Sequence, residues 1–272
     1  FGRNPQINTN STPEDLWNGS TLYSGFNSIN NQNAQVFSGS ASDTGALRTS
    51  GTVTASTSTT LTNSSATFIT NGVAIGDVIL NDSNGTHGFV TSINSQTQLT
   101  VFRWVDGISN VPKPEIGDTY RIAYATGTGA GVIRLVNALN SNYEKQIPKY
   151  VIMNGTSIVT VLGDFYRLST ARVIKSGSNQ RNAGVITIRQ AVTTANVFIQ
   201  MPTLGATTIG VDTVPKGIQR VIKRLFFQIS RANGSAGSAT VSLNVREPGG
   251  NTFNSIRVFE PTTSVSIAKA LV

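Results

Sequence analysis

The sequence predicts an all-β protein: an antiparallel β-sandwich, jelly-roll-like, with a small inserted β-barrel or sandwich module and an extended N-terminal arm. Three observations predict it. From Ile147 to Ile188, runs rich in Val, Ile and Thr flank Asn154-Gly155, the dipeptide best suited to a two-residue type I′ turn. A further run, Phe165 to Lys175, ends in the loop Ser176 to Gly184, and Val185 to Arg189 follows, so the region reads as an antiparallel meander. No long stretch carries a 3.6-residue apolar period. Charged residues make up only 12% of the chain, about half the usual share. Asn, Thr, Ser and Gly take their place, and these favour turns and strands over helices.

Taken in order, residues 1–33 form an arm with eight Asn and scattered large side chains, Trp17, Tyr23 and Phe26 among them. So long a loop is unusual inside a compact domain. The aromatics either anchor the arm on a neighbouring subunit or pack on its own domain. Residues 34–38 make a short strand and Ser40 to Gly45 a turn. Residues 47–125 read as a separate module with six strand candidates: 52–55, 66–70, 77–81, 87–93, 97–103 and 118–124. Gly76-Asp77 and Gly117-Asp118 each precede an apolar strand, where Gly permits positive φ and Asp bonds nearby backbone. The stretch Thr126–Gly131 reads as a flexible glycine-rich joint. The host sandwich is then 34–46 plus 126–272, with further strands near 132–136, 196–201, 207–211, 219–231, 239–247, 252–259 and 264–271. Within 219–231, Val221, Leu225, Phe227 and Ile229 alternate with Arg220, Arg224, Gln228 and Ser230, the pattern of a half-buried strand with a basic wet face.

Composition narrows the chemistry. The absence of cysteine excludes a disulfide framework and a thiolate metal site. No run of 18 apolar residues exists, so no membrane-spanning helix is expected. Phe1 is not an initiator methionine, which implies removed residues or numbering that starts inside the gene product. The formal charge of +8 is uneven: 1–50 carry a net −1, 51–125 a net −2, and 126–272 a net +11. A basic surface attracts nucleic acid, anionic membranes or acidic proteins. For the basic residues of 167–189 and 216–231, neither interleaved exposed aromatics nor a known nucleic-acid-binding fold is evident, so a protein interface or an ordinary solvated sheet face is expected, with no direct nucleic-acid binding. Arg220, Lys223 and Arg224 are the candidates for that contact.

No catalytic, cofactor or metal site is assigned. His87 is the sole histidine and is read as a strand residue. Gly127 to Gly131 lacks the Gly-Lys-Ser/Thr of a phosphate loop. Asp77, Asp82, Asp106, Glu115 and Asp118 lack calcium-loop spacing and read as solvated turn carboxylates. Glu144 and Asp164 flank the meander, but a hydrolase cleft also needs several aromatics. Trp104, the only tryptophan outside the arm, is the possible glycan contact: exposure would favour sugar binding and burial would disfavour it.

Several stretches together resemble a family of virion structural proteins of tailed bacteriophages, common in aquatic phages. They are Gly2-Arg3-Asn4-Pro5, Pro13-Glu14-Asp15-Leu16-Trp17, Ser40-Ala41-Ser42-Asp43-Thr44, Thr126-Gly127-Thr128-Gly129-Ala130, Asn154-Gly155-Thr156, Tyr166-Arg167-Leu168, Gly177-Ser178 with Asn182-Ala183-Gly184-Val185-Ile186, and Val214-Pro215-Lys216-Gly217. In the family the Asp-Thr and Gly-Thr-Gly-Ala stretches lie close together, whereas about 80 residues separate them here. The resemblance therefore marks 47–125 as an insertion, itself similar to small β modules of phage fibre and decoration proteins. It implies a structural part of a phage particle and leaves the station open. The favoured reading is a non-enzymatic, multicopy capsid decoration or head-fibre subunit, trimeric, docking on the major capsid protein through its arm. The insert, reached through Gly45 and Gly127, would project outward. A tail, neck or baseplate station and a host-glycan-binding module are the alternatives.

Overall fold

The computed structural model describes residues 24, 32–105, 113–207, 209 and 213–222, together with the strands 224–227, 241–245, 254–259 and 267–270. The protein is all-β, with several antiparallel sheets and no α-helix among the described residues. It divides into two compact units, Phe1–Gly217 and Ile218–Val272. The boundary falls inside the region that the sequence presents as one continuous sandwich.

The first unit contains β1 (Gln32–Ser38), β2 (Gly45–Thr52), β3 (Ala55–Ser56), β4 (Thr60–Thr62), β5 (Val78–Asn81), β6 (His87–Ile93) and β7 (Gln98–Val101). It continues with β8 (Thr119–Ala125), β9 (Ala130–Val136), β10 (Lys149–Ile152), β11 (Val159–Phe165), β12 (Thr170–Ser176), β13 (Ile186–Gln190) and β14 (Val197–Met201). The second unit contains β15 (Arg224–Phe227), β16 (Val241–Val245), β17 (Asn254–Phe259) and β18 (Ile267–Ala270). In that unit β15 pairs antiparallel with β18, and β16 with β17. The strand expected over 219–231 is shorter than its pattern: 218–222 are not strand, and Val221, expected on the apolar side, is exposed.

Two host sheets share one core. The first has the order β11-β1-β13-β14, and the second β10-β9-β12. Ala34, Val36, Val161, Phe165, Ile186, Ile188 and Ile199 of the first meet Ile133, Leu135, Val151 and Ala171 of the second. The meander expected over Ile147–Ile188 is not formed. β10 pairs with β9, β11 with β1, β12 with β9, and β13 with β1 and β14. Successive strands thus alternate between sheets. Asn154-Gly155 is a crossing between layers instead of a hairpin tip: Gly155 has the expected positive φ of 59°, yet its amide bonds to Asp43 and its carbonyl to Ser38.

The segment that the sequence presents as an insert in a host domain forms a further sheet with its own core. Its strands run in the order β2-β8-β5-β6-β7-β4-β3. The two ends of that order, β2 and β3, are joined by Val53 and Thr54, whose amides bond to Asp118 and Thr62. The sheet curls around Val53, Leu61, Phe68, Ile79, Leu99, Trp104, Tyr120 and Ile122. Of the expected strands, 66–70 forms turns, while β4 arises inside the Ser/Thr-rich run and contributes Leu61 to the core.

The segment is also internally duplicated, which single motifs do not reveal. Gly51-Thr52-Val53-Thr54 leads to Leu61-Thr62 and then Ile75-Gly76-Asp77; Gly88-Phe89-Val90-Thr91 leads to Leu99-Thr100 and then Ile116-Gly117-Asp118. The bonds repeat as well. Val53 N–H donates to Asp118 O at 2.9 Å and Gly117 N–H to Val53 O at 2.9 Å; Val90 N–H donates to Asp77 O at 2.9 Å and Gly76 N–H to Val90 O at 2.8 Å. Gly76 and Gly117 have φ of 86° and 95°. Leu61 and Leu99 face each other across β4 and β7. Each half completes the turn of the other.

The layers are tied together at Asp43, which is fully buried. Its Oδ1 accepts the amides of Ala130 at 2.6 Å and Ala183 at 2.7 Å; its Oδ2 accepts the Ser38 hydroxyl at 2.5 Å and the Gly184 amide at 2.9 Å. A Cβ on Gly129 would collide with Oδ1. The glycines near 127–131 therefore permit close packing, where flexibility was expected. Asp43→Asn is expected to destabilise the protein nearly as much as Asp43→Ala, by roughly 3 kcal/mol or more, because an amide can accept at only one of the two atoms. Urea denaturation monitored by tryptophan fluorescence checks this; an Asn variant of wild-type stability would refute it.

Candidate functional site

The sequence-predicted contact residues scatter. Trp17, Tyr23, Phe26 and Lys223 lie outside the described residues, and Arg224 is described only in the backbone of β15. Arg220 is exposed. Trp104 is 5% exposed and belongs to the core of the inserted segment. It offers no exposed stacking platform, which corrects the glycan expectation at that residue. The turn carboxylates go to separate partners: Asp77 to Arg48, Asp82 to Arg121, and Asp118 to Asn81 and Asn84. The basic residues also divide their roles. Lys175 Nζ donates to Gly76 O, Arg189 Nε donates to Gln35, and Arg167 is buried against the Tyr166 ring.

One polar cluster joins the inserted segment to the host. The outer face of its sheet, Val78, Leu80 and Ala123, packs with Val132 and Tyr150 of the host. The central strand β9 is consequently buried on both faces. Ile133 and Leu135 enter the host core, whereas Arg134 points to the insert and is 4% exposed. Arg134 Nη2 donates to Gly85 O at 2.9 Å, the Tyr150 hydroxyl donates to the same carbonyl at 2.6 Å, and that hydroxyl lies 3.3 Å from His87 Nδ1. Arg121 reinforces the contact through a two-pronged pair with Asp82 and a bond to Tyr150 O. The segment is thus seated on the two neighbouring sheets through a buried apolar and polar contact.

A second, half-buried cluster lies where the loop after β9 meets the end of β11 and the loop after it. Leu139 bridges both Lys145 and Arg167, which brings Tyr143 beside Tyr166. Their ring centroids are 5.5 Å apart and the planes cross at 86°. The Arg167 guanidinium lies 4.0 Å from the centroid of Tyr166. Glu144, on the loop after β9, and Asp164, near the end of β11, which the sequence set aside for want of accompanying aromatics, are both exposed. Gln146 Nε2 donates to Asp164 O at 2.9 Å. The pairing escaped the sequence reading because the two tyrosines are separated by 23 positions, and no local pattern joins Tyr143 to the run that contains Tyr166. Scans against family models, curated proteins and solved structures returned no match.

His87 supplies a pH test of the buried cluster. Burial, then the Arg134 charge, lowers its pKa from 6.5 to about 4, against an opposing backbone bond to Val105. The aromatic rings of Phe89 and Tyr150 complete its surroundings. Between about pH 6.5 and 4 the unfolded chain binds a proton that the folded chain refuses. Stability is therefore level with respect to this group above pH 6.5 and falls as pH drops through that window, by roughly 3 kcal/mol in full. His87→Phe should remove this component from urea midpoints measured between pH 7.5 and 4. The ring proton signals of the sole histidine should titrate near 4; a midpoint near 6.5 would contradict the buried environment.

Proposed function

We propose that this protein is a non-enzymatic structural component of a bacteriophage virion, a multicopy capsid decoration or head-fibre subunit that docks through its N-terminal arm. The supporting observation is the convergence at Asp43. Four stretches carrying the phage-protein resemblance, 40–44, 126–130, 154–156 and 182–186, contribute to one bonded centre through Asp43, Ala130, Gly155, Ala183 and Gly184. The resemblance thus concerns a scaffold, and the inserted segment is what this chain adds to it. The two host sheets are read as a jelly-roll-like sandwich, and the insert as a small barrel.

In this reading the arm supplies attachment. Trp17, Tyr23 and Phe26 bury aromatic area on a neighbouring subunit, offsetting the entropy lost on ordering. The basic surface, including Arg220, Lys223 and Arg224, faces an acidic shell protein, the major capsid protein, and the assembly is a trimer. A tail, neck or baseplate station uses the same parts. β1 begins at Gln32, whose side chain accepts the amides of Val192 and Thr193, so an arm truncation should stop before it. Deleting residues 1–31 should abolish incorporation into particles while the remaining chain keeps a cooperative unfolding transition. Full incorporation of the truncated protein would sink the arm model.

A further inference from the structure

The corner formed by Tyr143 and Tyr166 is built at a backbone cost. Tyr143 N–H donates to Asn140 O at 2.9 Å, closing a tight turn, and Glu144 N–H donates to Asn140 Oδ1 at 2.9 Å. Tyr143 itself has φ of 61°. The left-handed residue after such a turn is ordinarily glycine, and a bulky side chain there is an outlier. An aromatic in this place is held in strain by its surroundings, a condition that clusters at ligand-contacting positions.

Both rings are half-buried. Their perpendicular planes make a two-walled corner, stiffened by Arg167 against Tyr166. Around the corner, Asn142, Glu144 and Asp164 are exposed. Glu144 Oε2 already accepts from Asn140 Nδ2 at 2.9 Å, which fixes the carboxylate and leaves its second oxygen. A pyranose ring has one apolar C–H face and a rim of hydroxyls. An aromatic wall suits the first, while carboxylates and an amide at the edge suit the second.

We infer that this corner is a contact site for a neutral pyranoside chain, of hexose or N-acetylhexosamine units. The carboxylates of Glu144 and Asp164 disfavour acidic sugars. The site does not depend on the virion reading, since it uses only the loop after β9, the end of β11 and the loop after it. The flanking polar groups are exposed to water, so single-site affinity should be weak, with Kd on the order of millimolar. In a multicopy assembly, simultaneous contacts would raise the effective affinity.

The test uses the full chain with chitotetraose, cellotetraose and maltotetraose, followed by saturation-transfer NMR and tyrosine fluorescence. At least one of the three should bind with a millimolar Kd. Tyr143→Gly should weaken that binding at least about tenfold while leaving Tm unchanged or higher, because glycine is the residue the turn favours. Tyr166→Phe, which keeps the ring, should retain binding. The inference is overturned if none of the three binds below about 10 mM, or if Tyr143→Gly binds as tightly as the wild type. A Tyr143→Gly variant that loses several degrees of Tm would also overturn it, since that is the signature of a packing residue.

Discussion

The interaction on which the first unit depends is a buried carboxylate with its two oxygens divided among four donors. Asp43 sits among groups from the end of β1, the start of β9 and the loop before β13. A buried charge is costly unless hydrogen bonds replace its hydration. Here backbone amides and one hydroxyl do so, and the arrangement fixes where three segments remote in sequence must meet. Glycine at 129 follows from the same geometry, because the approach to Oδ1 leaves no room for a side chain. The β2–β8 pairing makes this possible despite the length of the insertion: Gly45 and Ala125 are direct partners, so the chain returns to the point it left.

Much of the strand content was legible because a strand declares itself locally. The alternation of Ala34, Val36 and Ser38 is the buried face of β1, and the span 87–93 is β6 as expected. The positive φ at Gly76, Gly117 and Gly155 is one that glycine in a turn readily adopts. Pairing is a different kind of information. Asn154-Gly155 carries the correct conformational signal, yet hairpin geometry is only one use of it. The choice between a hairpin and a crossing is decided by whether the flanking strands bury their apolar faces in the same sheet or in facing ones. Here they face each other across the host core, as Val151 and Val161 show.

The contact sites were less legible for related reasons. Trp104 was singled out by rarity, but a large apolar ring beside Gly88 is filled into the nearest core, and the Ser/Thr-rich insert needed it there. Leu61 is one apolar residue in a polar run and still anchors a strand, because its partner Leu99 is supplied from the other half of the duplication. Arg134 looked like an ordinary basic residue of a basic region. Its burial follows from the position of β9 between two cores, a fact that no local pattern contains.

The adjacency of Gly45 and Ala125 has a consequence for substitution. The ends of the segment between them lie side by side, so a replacement segment with neighbouring ends would bridge the same gap. The apolar surface formed by Val132, Tyr150, Ile152 and Ile174 narrows that freedom. A newcomer must bring a matching face and an acceptor for Arg134, or leave a cation stranded under it. The seat is therefore a lock that reads the buried side of whatever fills it and leaves the outward side unconstrained.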